Sequence, residues 1–285
     1  MIMEYNGIKY DEPNVFLLQN TGVGMIEFAG RTAYNSFCSD GCVSDVKYLN
    51  DVLHTGRPDG MVANQAKKRV QSINKSELVE KLSRVYQHKS VLEHSILTYS
   101  VIGVSRGVLQ ELARHRIGVS LTVQSTRYTM HNVVNCFLAS LKIKNGVDVF
   151  VKHMCKEDVL VTNDEFEVRE LQYIHDQLMS HLILIGIREF EKISLPKSVI
   201  EKYEECTTFE EAIKVLKDDK KKKNMGDSFK YIVSDNWKTD LVVTFNLRSL
   251  DHFLSLRDSG AAWFQIRTLA EKIKNATPDY LLEVI

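Results

Sequence analysis

Apolar positions along this chain fall into helix-like and strand-like periods, and each period predicts an element. Leu78, Leu82 and Val85 recur at helical spacing behind Ser76, a residue suited to cap a helix, while Glu77 and Glu80 favour its positive start. A helix from Ser76 to about His88 is predicted. Ser95 to Val104, rich in Ile, Val, Thr and Tyr, reads as a strand. Ser105 then caps a second helix with Val108, Leu109 and Leu112 inward, and Gly118 is its stop signal. Ser120 to Tyr128 has extended-loop or strand character. Nearer the start, Val15-Phe16-Leu17-Leu18 suits a buried strand, and Glu27 to Tyr34 a helix. Gly41 to Gly60, which holds Gly56 and Pro58, reads as a loop or lid.

Farther along, Leu171, Ile174, Leu178, Leu182 and Ile185 keep a helical period from Glu165 to about Ile193. Thr208-x-x-Glu211 is a capping box for a short helix, which ends at the solvated run Lys220 to Lys223. Asp235 to Asp258 is predicted as the clearest long helix, on Leu241, Val242, Phe245, Leu250, Phe253, Leu254 and Leu256. A last helix spans Ala261 to Lys274, before Pro278.

Composition narrows the class. The chain has 285 residues, 44% hydrophobic and 26% charged, with 37 basic and 37 acidic side chains. That is ordinary for a globular protein, and the zero balance argues against broad nucleic-acid binding. No apolar run approaches the roughly 20 residues of a membrane helix, and the N-terminus does not read as a secretion signal. Cys38, Cys42, Cys136, Cys155 and Cys206 are odd in number and contain no CxxC pair, so no metal site is expected and the thiols are read as reduced. A cytoplasmic location is the corresponding expectation.

The chemistry concentrates in Arg114-His115-Arg116 and Ser125-Thr126-Arg127-Tyr128. Three guanidinium groups, each a fixed fork of donors, suit a nucleotide phosphate. Three consecutive residues of a regular helix project about 100° apart, so Arg114 to Arg116 can converge only where the helix loosens, as Gly118 permits. A second constellation is Asn246-Leu247-Arg248, followed by His252 and Arg257. If helical, Asn246 and Arg257 share a face about 16 Å apart, while Arg248 and His252 lie on another. The same residues also fit a surface helix whose Asp251 pairs with Arg248 or Ser255. A third is His88-Lys89-Ser90-Val91-Leu92-Glu93-His94.

These three strings together resemble the signatures of the flavin-dependent thymidylate synthases. The resemblance implies reductive methylation of dUMP to dTMP, with 5,10-methylene-tetrahydrofolate as carbon donor and NADPH-reduced FAD as hydride source. No protein nucleophile is implied, and no cysteine lies in the three strings. The implied fold is α/β (α+β), a mainly antiparallel central sheet flanked by long helices. One domain would span 1–285, with an insertion around 140–227, in a homotetramer with sites at subunit interfaces. Ser90, Arg114, His115, Arg116, Asn246, Arg248 and His252 would hold the cofactor, and Glu93 would support the site. Glu111, Arg114, Val123, Gln124, Ser125, Arg127, Lys230 and Arg257 would hold the nucleotide, with Arg257 at the uracil ring as the catalytic group.

There are departures from the family pattern. The spacer Ile117 to Gln124 is one residue longer than usual. Lys230 stands where an Arg is usual, Glu111 where a Gln is more typical, and Ala261 to Gln265 is read as packing only.

Overall fold

The computed structural model describes residues 2–55, 60–185, 195–217 and 232–285. Two units emerge: Met1–Glu12, Ser105–Gly107 and Gln124–Thr239 form the first, and Pro13–Val104, Val108–Val123 and Asp240–Ile285 the second.

The first unit is mostly helical. A hairpin of β1 (Ile2–Tyr5) and β2 (Ile8–Asp11) accompanies helices Thr126–Ser140, Gly146–Glu157, Asp164–Ile185, Lys197–Glu205 and Phe209–Lys217. Its core gathers Phe137, Leu138, Phe150, Met154, Leu171 and Leu178. The 3.6-residue period of Leu171, Ile174, Leu178 and Leu182 does bury one face of its long helix; residues 186–193 of that expectation lie outside the described residues. The Thr208–Glu211 capping box forms as expected. Glu211 Oε2 accepts from the Thr208 amide at 3.2 Å, and the Glu211 amide donates to Thr208 Oγ1 at 3.3 Å. Lys220 to Lys223 lie outside the described residues.

The second unit is built on a four-stranded sheet. With β3 (Asn14–Asn20), β4 (Ile96–Ser105), β5 (Val119–Val123) and β6 (Lys238–Asn246), the strand order is β3-β4-β6-β5. The β3–β4 and β5–β6 pairs are antiparallel, as the fold class requires. Leu97, Tyr99 and Val101 of β4 and Leu241, Val243 and Phe245 of β6 point into one core, which helices Leu247–Arg257 and Phe264–Ala276 complete. Tyr99, Phe245 and Phe253 meet there in sequence, with ring centroids 6.4 and 5.2 Å apart. Each such side chain taken out of water contributes roughly 1.5–3 kcal/mol.

Several expectations are corrected by this packing. Residues 235–258 are not one helix: every second residue from Thr239 to Phe245 is buried, a period of two, and the helix starts only at Leu247. Val15 to Leu18 is a strand but a half-buried one, with Phe16 and Leu18 54% and 59% exposed. The Gly41–Gly60 stretch contains helix Ser44–Leu53, which buries Val46, Leu49 and Val52; Gly56 and Pro58 lie outside the described residues. Ser76 does cap its helix, accepting from the Val79 amide at 3.2 Å, but the α-helix ends at Glu80 and continues as a π-turn, Lys81–Val85. That wider turn rotates Val85 off the buried face and leaves it 68% exposed. Thr126 to Tyr128 are helical rather than extended, and the last long helix runs from Phe264 to Ala276. Gln265 is packed inside as expected, whereas Trp263 remains exposed.

A buried ion pair shapes the chain after helix Gly24–Tyr34. Arg31 Nε donates to Glu27 Oε1 at 2.7 Å, and its other nitrogens donate to the carbonyls of Ser36 and Gly41 and to Ser39 Oγ. This guanidinium satisfies the carbonyls of a segment that forms no regular structure.

Candidate functional site

Three segments of the second unit converge on one pocket of about 970 Å³. The first is the 3₁₀ turn Lys89–His94. The second is the chain from Arg114 to Val119, and the third is helix Leu247–Arg257.

Helix Arg106–Leu112 ends just before the arginines, and its last amides reach back only three residues: Arg114 to the Glu111 carbonyl, His115 to that of Leu112. The loosening expected at Arg114 to Arg116 is thus present. Gly118 then turns the chain with φ +67°, a region that favours glycine. The turn seats on the start of the third segment: the Asn246 amide donates to the Gly118 carbonyl at 2.9 Å, and Ser249 Oγ to the Ile117 carbonyl at 2.7 Å. A Cβ on Gly118 would lie 2.2 Å from Asn246 Nδ2 and 2.3 Å from Ser249 Oγ. Asn246 itself is the N-cap, its Oδ1 accepting from the Ser249 amide at 2.8 Å.

Arg114, His115, Arg116, Arg248, His252 and Arg257 all wall the pocket. Arg257 Nη1 meets Glu111 Oε2 at 2.9 Å, and its Nε donates to His115 Nε2 at 3.1 Å. His115 therefore accepts through Nε2, which requires a neutral ring carrying its hydrogen on Nδ1. The electrostatics agree: burial first, then the Arg257 and His252 side chains, push the His115 pKa below its ordinary value. His115 also packs edge-on against Phe253, 5.2 Å between centroids. Arg248 pairs with Glu93 at 2.6 Å, and Lys89 with Asp251 at 2.8 Å. The expected surface pairing of Asp251 with Arg248 or Ser255 is replaced by the Lys89 contact, which joins two of the segments. Arg116 makes no ion pair among the described residues.

Ser90 lies in an adjoining groove of about 360 Å³ that shares Lys89 and Arg248 with the main pocket. Tyr34 and His88 line the same groove, with Tyr34 Oη 3.3 Å from His88 Nδ1. Asn246, Glu111 and Val123 belong to this unit but do not wall the main pocket. Gln124, Ser125 and Arg127 belong to the first unit, and Lys230 lies outside the described residues. Sequence reasoning passed over Lys89, Asp251, Ser249 and Tyr34 as site residues. Lys89 lies between His88 and Ser90 of a family string, whereas Tyr34 has no signal beyond its own helix.

The donor set suits a large anion. Five cationic side chains (Lys89, Arg114, Arg116, Arg248, Arg257) and two carboxylates (Glu93, Asp251) wall the pocket, an excess of three positive charges (5 − 2). Its volume lies near the upper end of ordinary ligand sites. A flavin dinucleotide, with its pyrophosphate, fits both charge and size. None of the five cysteines walls the pocket. Among the described residues no cluster of His, Cys, Asp or Glu could hold a metal ion, and no helix is long and apolar enough to cross a membrane.

Comparison with known proteins bears on this geometry. Residues 17–279 match the family model described as thymidylate synthase complementing protein. The flavin-dependent thymidylate synthase of Wolinella succinogenes is 30% identical over 202 residues, covering 71% of this chain and 76% of that protein. That of Campylobacter jejuni strain RM1221 is 29% identical over 202 residues, covering 71% and 75%. Among solved structures, thymidylate synthase X from Helicobacter pylori, crystallised with FAD and dUMP, superposes with a TM-score of 0.52. It is 23% identical and covers 94% of each chain, a likeness of fold.

Proposed function

The chain belongs to the thymidylate synthase complementing protein family, and from that membership we propose that it is a flavin-dependent thymidylate synthase. It methylates dUMP reductively to dTMP, with 5,10-methylene-tetrahydrofolate as carbon donor and NADPH as the source of reducing equivalents. The observation that carries the reading is the convergence of Lys89–His94, Arg114–Arg116 and helix Leu247–Arg257 on one cationic pocket of about 970 Å³.

When bound, reduced FAD supplies the hydride and the relay of the one-carbon unit. The protein's part is binding, orientation and electrostatics. Arg114, Arg116 and Arg248 hold phosphate oxygens, Ser90 extends the contact into the neighbouring groove, and His252 and His115 line the flavin side. Asn246 supports the site by capping the helix that carries Arg248, His252 and Arg257. Arg257 faces the uracil ring, where a guanidinium stabilises negative charge as it develops on the ring and so favours attack from C5. Val123, Gln124, Ser125, Arg127 and Lys230 complete the nucleotide side by their match to the family strings, and Glu111, which matches there too, acts on it through its pair with Arg257. Lys230 keeps the charge of the usual Arg without its bidentate geometry.

The same reading includes a homotetramer with sites at subunit interfaces, an insertion around 140–227 within a single domain, and a cytoplasmic location. Five free cysteines are consistent with a reducing compartment.

Mass detection of dTMP from dUMP, with methylene-tetrahydrofolate, NADPH and FAD omitted one at a time, tests the reaction. Product that requires each component is expected. No product from flavin-loaded protein would refute the assignment.

A further inference from the structure

Glu111 is half-buried on the last turn of helix Arg106–Leu112 and is not among the residues that wall the pocket. Both of its oxygens are engaged: Oε2 with Arg257 Nη1 at 2.9 Å, and Oε1 with Arg114 Nη1 at 3.4 Å. Arg257 is held a second time through Nε, by His115 at 3.1 Å. A guanidinium tied at both Nε and Nη1 has lost the freedom of its long stem, and it offers Nη2 as the nitrogen without a described partner. A carboxylate that grips a guanidinium from behind sets direction, as a pre-organised catalytic donor requires.

We propose that Glu111 is the positioning residue for Arg257: its carboxylate aims the guanidinium at the pyrimidine and does not itself touch the nucleotide. This rests on the reading of Arg257 as the group that faces the uracil ring. Glu111 also ties Arg257 to Arg114, so the pyrimidine-facing and phosphate-facing cations are spaced by one shared anion. The opposite arrangement would make the carboxylate a competitor, occupying Arg257 until the nucleotide displaces it. The two differ in sign. Removing a positioning carboxylate weakens nucleotide binding, whereas removing a competitor strengthens it.

The test is a double-mutant cycle on the flavin-loaded enzyme. dUMP is titrated calorimetrically into wild type, Glu111→Ala, Arg257→Ala and the double variant, with inorganic phosphate as a second probe and flavin absorbance as the measure of FAD retention. Glu111→Ala is expected to weaken dUMP binding about tenfold, the scale of one charge-assisted hydrogen bond. Phosphate binding and FAD retention, which Glu111 reaches only through its longer 3.4 Å contact with Arg114, should fall far less than dUMP binding, and most of the dUMP loss should vanish in the Arg257→Ala background. Glu111→Gln, which preserves volume and one acceptor oxygen, should recover part of it and guards against a folding defect. Additive losses in the double variant, or tighter dUMP binding by Glu111→Ala, would overturn the proposal. Unchanged dUMP binding by Arg257→Ala would instead remove the reading of Arg257 on which it rests, a result visible without any Glu111 variant.

Discussion

At the scale of single residues the pocket separates two tasks, and substitution should separate them too. Arg257 is tied to Glu111 and His115 at one end of helix Leu247–Arg257, whereas Arg248, at the other end, borders both the main pocket and the Ser90 groove. Arg257→Ala is therefore expected to abolish turnover, by at least about a hundredfold, while flavin remains bound. Arg248→Ala should instead reduce flavin retention, measured as the absorbance ratio of purified protein. Full activity in Arg257→Ala would end its assignment at the pyrimidine. Both arginines stand out in the sequence only through the family strings, because the same spacing also fits a surface helix making ordinary ion pairs. Lys89 and Asp251 do not stand out as a pair: their 2.8 Å contact joins residues 162 apart in the chain, and no local period announces it.

At the scale of elements, the site depends on a turn seated on a helix start. Gly118 has no room for a side chain against Asn246 and Ser249, and its φ of +67° disfavours one. Gly118→Ala should lower the thermal midpoint, by an amount equivalent to about 1–3 kcal/mol, and weaken flavin retention together with it. Scanning calorimetry and the flavin spectrum read the two effects. An unchanged midpoint would mean that the turn relaxes away from the helix. The stop signal at Gly118 was legible as a glycine after a helical period; its seat on Asn246 was not. The boundary between β6 and the following helix was misread for a related reason. Leu241, Val242 and Phe245 fit a helical period as well as a strand, and only the burial of Leu241, Val243 and Phe245 on one side of the sheet decides between them.

At the scale of the whole molecule, three imidazoles set an acid limit. His115, His153 and His175 each have a pKa lowered below the ordinary 6.5, in every case chiefly by burial. His175 is the most enclosed. It lies between Phe137 and Phe150, shares a hydrogen bond with Ser140 Oγ at 3.2 Å, and has no partner for Nδ1 among the described residues. The unfolded chain takes up protons at these rings first, so stability is fully present above pH 6.5 and falls as pH drops below it. Urea midpoints measured from pH 8 to 5 should decline through that window, and His175→Phe should flatten the decline. An unaltered slope would show that the ring protonates freely in the folded state. By itself, the sequence determined the chemistry: the cation-rich strings, their order, and the periods of the helices that fill the first unit's core. Those depend on neighbours within a few residues, where propensity and capping act. The tertiary structure alone decided where Phe16 and Leu18 face, that residues 238–246 are a strand, that Glu111 meets Arg257, that Lys89 meets Asp251 and that Gly118 seats on Asn246. Those depend on what lies across the sheet or the pocket, and contacts between distant residues leave no period in a chain.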